Sequence, residues 1–225
     1  LVHFGLTSED INNTAYSLMT RGAVDNIMIP SIKSVLKELK TLSKKTKSLP
    51  LLSLTHGQPA TTTTLGKELA VFISRVEREL AVIKKMRLLA KFSGATGSYA
   101  AHKVAFPGFS WSVFSKRFIN KLGLEQSPVS TQIEPGDSLA ELFHSFVRIN
   151  NIFSDFSLDM WLYISRNIFV QKNIVGEVGS STMPHKINPI FFENAEGNLD
   201  IANNNFSFLA SRITRSRLQR DLSGS

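Results

Sequence analysis

The chain has 225 residues and no cysteine, which excludes disulfide bonds and thiolate metal sites and fits a reducing compartment. It also contains no apolar run long enough to span a bilayer and no signal-peptide pattern, so we expect a cytoplasmic protein with no membrane partner. HExxH, Walker and GxGxxG motifs are missing as well. The histidines show no spacing typical of a metal site, so no motif predicts a metal or a nucleotide cofactor.

Negative charge is scarcer than positive charge, with 18 acidic against 26 basic side chains and a net charge of +8. The basic residues are spread along the chain, as in "KELKTLSKKTK" and "RSRLQR", without the interleaved aromatic residues typical of RNA-binding modules. A solvated basic surface or a small anionic substrate therefore explains the charge better than nucleic acid does. Hydrophobic residues make up 42%, enough for a packed core.

Helical periodicity dominates the first half of the chain. Thr7 to Asp10 form a capping-box pattern that opens a helix, which we predict to run to about Ser48 with a kink or break near Pro30. A second helix is predicted from about Pro59 to about Ala90. Its apolar positions recur every three or four residues, at Leu65, Leu69, Phe72, Val76, Leu80 and Ile83.

Two more helices are predicted in the second half. One begins at Asp137 or Ser138, with Ser138 and Glu141 as a capping pair, and the other follows Pro189. Helices of this length, apolar on more than one face, must pack against several neighbours. We therefore predict an all-α bundle of long helices that is completed by other subunits. A monomeric bundle or a coiled-coil scaffold without catalytic activity is the alternative.

The segment "GSSTMPHKINP", residues 179–189, combines hydroxyls, an ammonium and an amide on one predicted loop. Read alone, Gly-Ser-Ser is more typical of a linker or a helix cap. Serine becomes a base only where its alkoxide is stabilised, and backbone amides with the Lys186 ammonium could supply this. Lys186 and Asn188 could also hold a carboxylate. We interpret His185 as non-catalytic because Lys186 already supplies the positive charge.

A second candidate is His56, within "THGQP" just before a predicted helix. A lone histidine is more often a surface or packed residue. Here, however, the glycine and proline that follow predict a tight turn toward a helix start. Imidazole can donate a proton to a leaving nitrogen at neutral pH, so His56 is a candidate general acid.

"GSSTMPHKINP" resembles the signature loop of the fumarase/aspartase superfamily, whose members eliminate fumarate from succinyl-type substrates. Four further segments, at 7–13, 55–68, 131–143 and 216–225, are similar to the bacterial adenylosuccinate lyase family. The resemblance covers essentially the whole chain. It implies anti β-elimination of fumarate from adenylosuccinate and from SAICAR, with no cofactor and no metal.

The resemblance also implies roles for individual residues. Ser180 would remove the proton next to a carboxylate, and His56 would protonate the departing nitrogen. The substrate-binding positions would be Thr7, Ser8, Gln132, Ser181, Lys186, Ile187, Asn188, Asn194, Arg220 and Ser225. Gly224 departs from the more acidic segment that we expect there, which weakens the assignment of the contact at Ser225.

The resemblance implies a homotetramer in which each active site takes residues from several subunits. It also implies N-terminal and C-terminal domains outside residues 1–225, so we expect this chain to be the central helical domain, with the signature loop at about 174–189. Two alternatives stay open. One is another lyase of the superfamily, such as argininosuccinate lyase, and the other is a non-catalytic helical scaffold.

Overall fold

The computed structural model describes residues 2–172 and 187–222. The longer helices are α1 Ser8–Ala23, α2 Ile29–Lys45, α3 Leu65–Lys85, α6 Asp137–Ser165 and α7 Ile190–Ile213. Two shorter helices are α4 Ala100–Ala105 and α5 Trp111–Lys121. The strands are β1 Pro50–Thr55, β2 Gln58–Thr64, β3 Leu89–Ala90, β4 Glu125–Gln126, β5 Ser216–Arg217 and β6 Asp221–Leu222.

The prediction of a helical bundle is confirmed, because long helices carry most of the described chain. α2 packs on α3, α3 on α6, and α6 on α7. The start of α7 contacts the end of α6, where Phe192 meets Phe156, while Phe206 stacks on Phe146 further along. α6 and α7 are therefore antiparallel, and the bundle has two distinct ends.

Two apolar clusters form the core around α6. One joins α6 to the start of α2 and the end of α3, and includes Ile83, Phe146 and Ile149. The other joins α6 to the later part of α2 and to α3, and includes Leu69, Val76 and Ile152. The α3 stripe supplies Leu65, Leu69, Phe72, Val76 and Ile83 to these clusters, so the periodicity correctly predicted the buried face of that helix.

The first predicted helix is interrupted close to the expected place. A five-residue π-helix, Val24–Met28, joins α1 to α2, and the residues at both of its ends keep right-handed helical φ and ψ angles. Pro30 lies in the first turn of α2. Proline is tolerated there because its missing N–H is not needed in a first turn. α2 ends at Lys45, three residues before the predicted limit.

The second predicted helix begins later than expected. Residues after Pro59 do not start a helix but form β2, which pairs with β1 as an antiparallel hairpin. The helix α3 begins at Leu65, where the Thr64 side chain accepts a hydrogen bond from Lys67 N–H, and it ends at Lys85. The β-branched run from Thr61 to Thr64 explains the extended conformation.

The predicted capping pair of α6 is also wrong. Gly136 is the N-cap, in a left-handed conformation with φ of 80°, and the Ser138 hydroxyl accepts a hydrogen bond from Leu89 N–H at 3.0 Å. Ser138 thus links α6 to β3 instead of capping its own helix. In the part of the chain that the structure describes, no helix has both the length and the apolar character needed to cross a membrane.

Candidate functional site

His56 lies at the tip of the β1–β2 hairpin, exposed to solvent. The prediction that it lies just before a helix is wrong. His56 and Gly57 form the two-residue turn between Thr55 and Gln58, with φ of 52° and 73°. Two consecutive positive φ angles are typical of the type I′ turn, whose twist matches that of a hairpin. Arg166 donates from Nη1 to the Gly57 carbonyl oxygen at 2.8 Å, which ties the turn to the end of α6.

A cleft of about 410 Å³ lies beside this hairpin tip. Burial raises the pKa of Asp159 there, and the nearby Asp155 and Glu68 carboxylates raise it further, while Arg75 opposes them. Burial also raises the pKa of Tyr163, again with help from Glu68. The cleft is lined by Ser53, Leu54, Gly57, Glu68, Asp159, Leu162, Tyr163 and Arg166.

Ile187, Asn188 and Asn194 precede or begin α7, whose start packs against the end of α6 near the His56–Gly57 turn. Gln171 donates a hydrogen bond to the Ile187 carbonyl oxygen at 3.2 Å. Asn194 lies exposed in the first turns of α7, one residue after Glu193, which accepts a hydrogen bond from the Trp161 indole at 3.0 Å. Ser180, Ser181 and Lys186 lie outside the described residues.

Thr7, Ser8 and Gln132 form a second group at the opposite end of the bundle. Thr7 N–H donates to Asp10 Oδ2 at 2.9 Å, so the predicted capping box is confirmed at the start of α1. Ser8 is exposed and Gln132 is half-buried. Gln132 lies five residues before α6, and its carbonyl oxygen accepts a hydrogen bond from the Lys91 ammonium at 2.8 Å.

The chain's last described segment joins this second group. The Thr131 hydroxyl donates to the Gln219 carbonyl oxygen, which brings the short β5–β6 hairpin against the loop that carries Gln132. Arg220 follows Gln219 on that hairpin, exposed to solvent. Ser225 lies outside the described residues.

α6 separates the two groups of predicted site residues. Its 29 residues run from just after Gln132 to just before Arg166, which holds the His56–Gly57 turn. At 1.5 Å per residue the helix is about 43 Å long, far more than a small molecule spans. One copy of this chain therefore cannot place His56 and Gln132 against the same small substrate.

Two residues beside the second group, Asp10 and Lys91, were not among the predicted site residues. Asp10 appeared only as part of a capping pattern, and Lys91 was not singled out. Both are almost completely buried and form an ion pair with Nζ 2.9 Å from Oδ1. The available signal was weak, because a lysine that follows an apolar pair is usually at the surface.

The sequence that forms this bundle matches a known protein family. Residues 1–200 match the family model described as Lyase, and the chain belongs to this family, which is the fumarase/aspartase superfamily. The fold agrees with a solved structure, that of the 3-carboxy-cis,cis-muconate lactonizing enzyme from Pseudomonas putida. That structure has a TM-score of 0.77 at 24% identity and covers 98% of this chain and 48% of its own.

Curated relatives with higher sequence identity to this chain share a single name. The chain is 49% identical over its whole length to a protein named adenylosuccinate lyase from Vibrio cholerae. It is 48% identical to one of the same name from Escherichia coli strain K12, and 50% identical to one from Dictyostelium discoideum. The chain spans about half of each of these relatives, 49% of their length.

Proposed function

We propose that this chain is part of an adenylosuccinate lyase, which releases fumarate from adenylosuccinate to give AMP and from SAICAR to give AICAR. The observation that carries this proposal is the similarity to relatives of that name along the entire chain, at 48–50% identity. It includes the segments around His56 and Gln132 that argue against an argininosuccinate-type substrate.

The proposed reaction is an anti β-elimination that breaks one C–H bond and one C–N bond. Ser180, as alkoxide, takes the proton from the carbon next to a carboxylate, and the C–H electrons delocalise into that carboxylate as an aci-carboxylate. Lys186 and Asn188 stabilise the added negative charge. The C–N electrons then leave with the nitrogen, which receives its proton from His56, and the carbon product is fumarate.

The exposed position of His56 supports its role as the acid. A type I′ turn held by Arg166 presents the imidazole at the hairpin tip, where a substrate or another subunit can reach it. The substrate carries a phosphate and two carboxylates. We assign its anionic groups to polar groups at both ends, with Thr7, Ser8, Gln132 and Arg220 from one end and Asn194 and the main chain of Ile187 from the other. Ser181 and Ser225, which lie outside the described residues, are further proposed contacts.

We further propose a homotetramer in which each active site combines residues from different copies. The length of α6 supports this, because the two groups of site residues lie at its opposite ends. The apolar surface of α7 supports it as well. Of its 24 residues only Ala210 is buried, while Phe191, Ile201 and Phe208 are more than 60% exposed. Such a surface is typical of an interface.

We also propose that residues 1–225 are the central helical domain of a longer cytoplasmic enzyme. The chain's coverage of about half of each curated relative supports the first part. The lack of cysteine fits the proposed cytoplasmic location.

The direct test is fumarate release from adenylosuccinate by the full-length protein that contains this chain. We expect wild-type turnover, and a loss of about a thousandfold or more in both Ser180→Ala and His56→Ala, as for other groups that move the transferred proton. Substrate binding, measured by titration calorimetry, should persist in Ser180→Ala, because the serine acts in the chemical step. Near-normal turnover in either variant would remove that residue from its role.

A folded wild-type protein that releases no fumarate from adenylosuccinate would contradict the proposed substrate. The same assay with argininosuccinate would then identify the other lyase reaction.

A further inference from the structure

Asp10 and Lys91 form an ion pair that is sealed from solvent, with side chains 0% and 1% exposed. Asp10 lies in the first turn of α1, and Lys91 directly follows β3. Burying two charges costs several kcal/mol for each ion, so such a pair persists only where other hydrogen bonds satisfy both groups. The surroundings of the pair show which main-chain segments supply those bonds.

The Lys91 ammonium uses all of its three hydrogens. It donates to Asp10 Oδ1 at 2.9 Å, to the Gly94 carbonyl oxygen at 2.9 Å and to the Gln132 carbonyl oxygen at 2.8 Å. An ammonium has three donors and no acceptor, so none is left for solvent. Two of its acceptors are main-chain atoms from different loops, and one of them belongs to a proposed substrate-binding residue.

The Asp10 carboxylate fixes main-chain N–H groups in the same way. It accepts from Thr7 at 2.9 Å, from Ser93 at 2.9 Å and from Gly94 at 3.1 Å. Charge-assisted hydrogen bonds of this kind are stronger than neutral ones. Asp10 thus holds the start of α1 against the loop after Lys91, and Lys91 holds that loop against Gln132.

A close contact at a glycine also joins the loop after Lys91 to the segment that carries Gln132. Gly97 has φ of 74°, and a Cβ added there would collide with the Ser130 carbonyl oxygen. The Ser93 and Ser130 hydroxyls are also 2.9 Å apart. The segment that precedes Gln132 is therefore packed directly on the loop that the ion pair holds.

We propose that Asp10 and Lys91 are positioning residues for substrate binding, which set the place of Gln132 relative to Thr7 and Ser8. Neither side chain can reach a substrate, because both are enclosed and all of the ammonium hydrogens are taken. They act through the main chain of residues that can. This proposal rests on the proposed function, since it takes Gln132 and Thr7 as substrate contacts.

The test replaces both charges at once in the full-length protein. Asp10→Asn with Lys91→Met leaves no unpaired buried charge, keeps the volume, and removes the tie to the Gln132 carbonyl oxygen. We expect KM for adenylosuccinate to rise about tenfold or more, with a smaller fall in kcat, because misplacement by an ångström weakens contacts strongly. If this variant fails to fold, Lys91→Arg keeps a cation beside Asp10, and the same rise in KM is expected.

The matched control is a second ion pair that touches no site loop. Arg148 Nε lies 2.8 Å from Glu79 Oε2 and joins α6 to α3 at the edge of the bundle, where Glu79 is buried and Arg148 is exposed. Glu79→Gln with Arg148→Met should lower stability without raising KM. An equal rise in KM in this control would show a general loss of rigidity and overturn the proposal.

A double-mutant cycle tests whether the effect passes through Gln132. In a Gln132→Met background, the Asp10→Asn and Lys91→Met changes should alter KM by less than about twofold, since the contact they position is already gone. If replacing the ion pair raised KM as much in the Gln132→Met background as in wild type, the proposed positioning of Gln132 would be contradicted.

Hydrogen exchange separates this proposal from the proposed function. In the doubly substituted protein, amides of residues 130–133 should exchange about tenfold faster or more, whereas the control pair should leave them unchanged. Faster exchange in a protein whose wild type cleaves no adenylosuccinate would reject the function and keep the positioning of this loop. Unchanged exchange with unchanged KM would overturn the positioning itself.

Discussion

At the scale of single residues, Glu134 shows how burial changes a carboxyl group beside the site. Its side chain is 6% exposed, and Oε2 accepts a hydrogen bond from Gly136 N–H at 2.8 Å. Burial raises the pKa of Glu134 above its ordinary value. The hydrogen bond from Gly136 lowers this pKa, whereas the charges of Asp137 and Glu9 raise it further. The charged form is therefore disfavoured in the folded protein.

This raised pKa predicts a pH-dependent difference between wild type and Glu134→Gln. The neutral carboxyl stabilises the fold fully below its unfolded pKa, and that contribution is lost as the pH rises through the higher native pKa. The variant, which is neutral at every pH and keeps an oxygen acceptor, should therefore gain stability relative to wild type as the pH rises from 4 to about 8. Urea unfolding across this range measures the difference.

A control for that experiment is Glu141→Gln, which removes one charge from the exposed side of α6. It separates the effect of burial from that of net charge. A wild-type protein that gained stability relative to Glu134→Gln with rising pH would contradict the raised pKa.

Individual residues also mark the limit of sequence reasoning. The motifs supply His56 and Gln132 as candidate site residues. They do not supply Lys91, because a lysine is normally assigned to the surface and only the fold shows that two carbonyl oxygens and a carboxylate surround it. Burial of a charge depends on partners far apart in sequence, which periodicity does not reveal.

At the scale of elements, α3 and α6 could be predicted because their apolar stripes are buried as the periodicity requires. The β1–β2 hairpin was missed because a glycine and a proline after His56 also fit a helix start. The signals for the hairpin were the two-residue turn of His56 and Gly57 and the threonine run at 61–64. Turn chemistry that tolerates positive φ, not apolar spacing, places His56 at an exposed tip.

The packing of α2 on α3 depends on one glycine. A Cβ on Gly66 would lie 2.5 Å from both Lys47 Cα and the Ser43 carbonyl oxygen, closer than atoms can approach. The Ser43 hydroxyl also donates to the Gly66 carbonyl oxygen at 2.7 Å. The backbones at this contact therefore leave no room for a side chain.

Gly66→Ala should lower the free energy of unfolding by about 1–3 kcal/mol or more, the usual cost of overpacking against backbone that cannot yield. The matched control is Gly22→Ala near the end of α1, where an added Cβ meets nothing within 4 Å. That change should stabilise by about 0.5–1 kcal/mol, because alanine favours the helix. Chemical denaturation compares both with wild type. Equal effects of the two substitutions would contradict the close contact.

At the scale of the whole molecule, the fold class could be predicted from sequence, whereas the division of the site could not. Motifs give the candidate site residues but not their distance apart. The structure places His56 and Asn194 near one end of α6, and Gln132 and Thr7 near the other. Because α6 is about 43 Å long, an active site that uses both groups, as we propose, must take them from different copies.

The measurement that tests this most directly mixes two impaired variants of the full-length protein, assayed at a substrate concentration at which each variant alone shows little turnover. His56→Ala and Gln132→Met each damage one end of every copy, and the two proteins are combined at equal concentrations under conditions that exchange subunits. If a site takes His56 from one copy and Gln132 from another, about one quarter of the sites receive both intact residues, and fumarate release should return to about that fraction of the wild-type rate. No recovery after demonstrated subunit exchange would contradict the shared site.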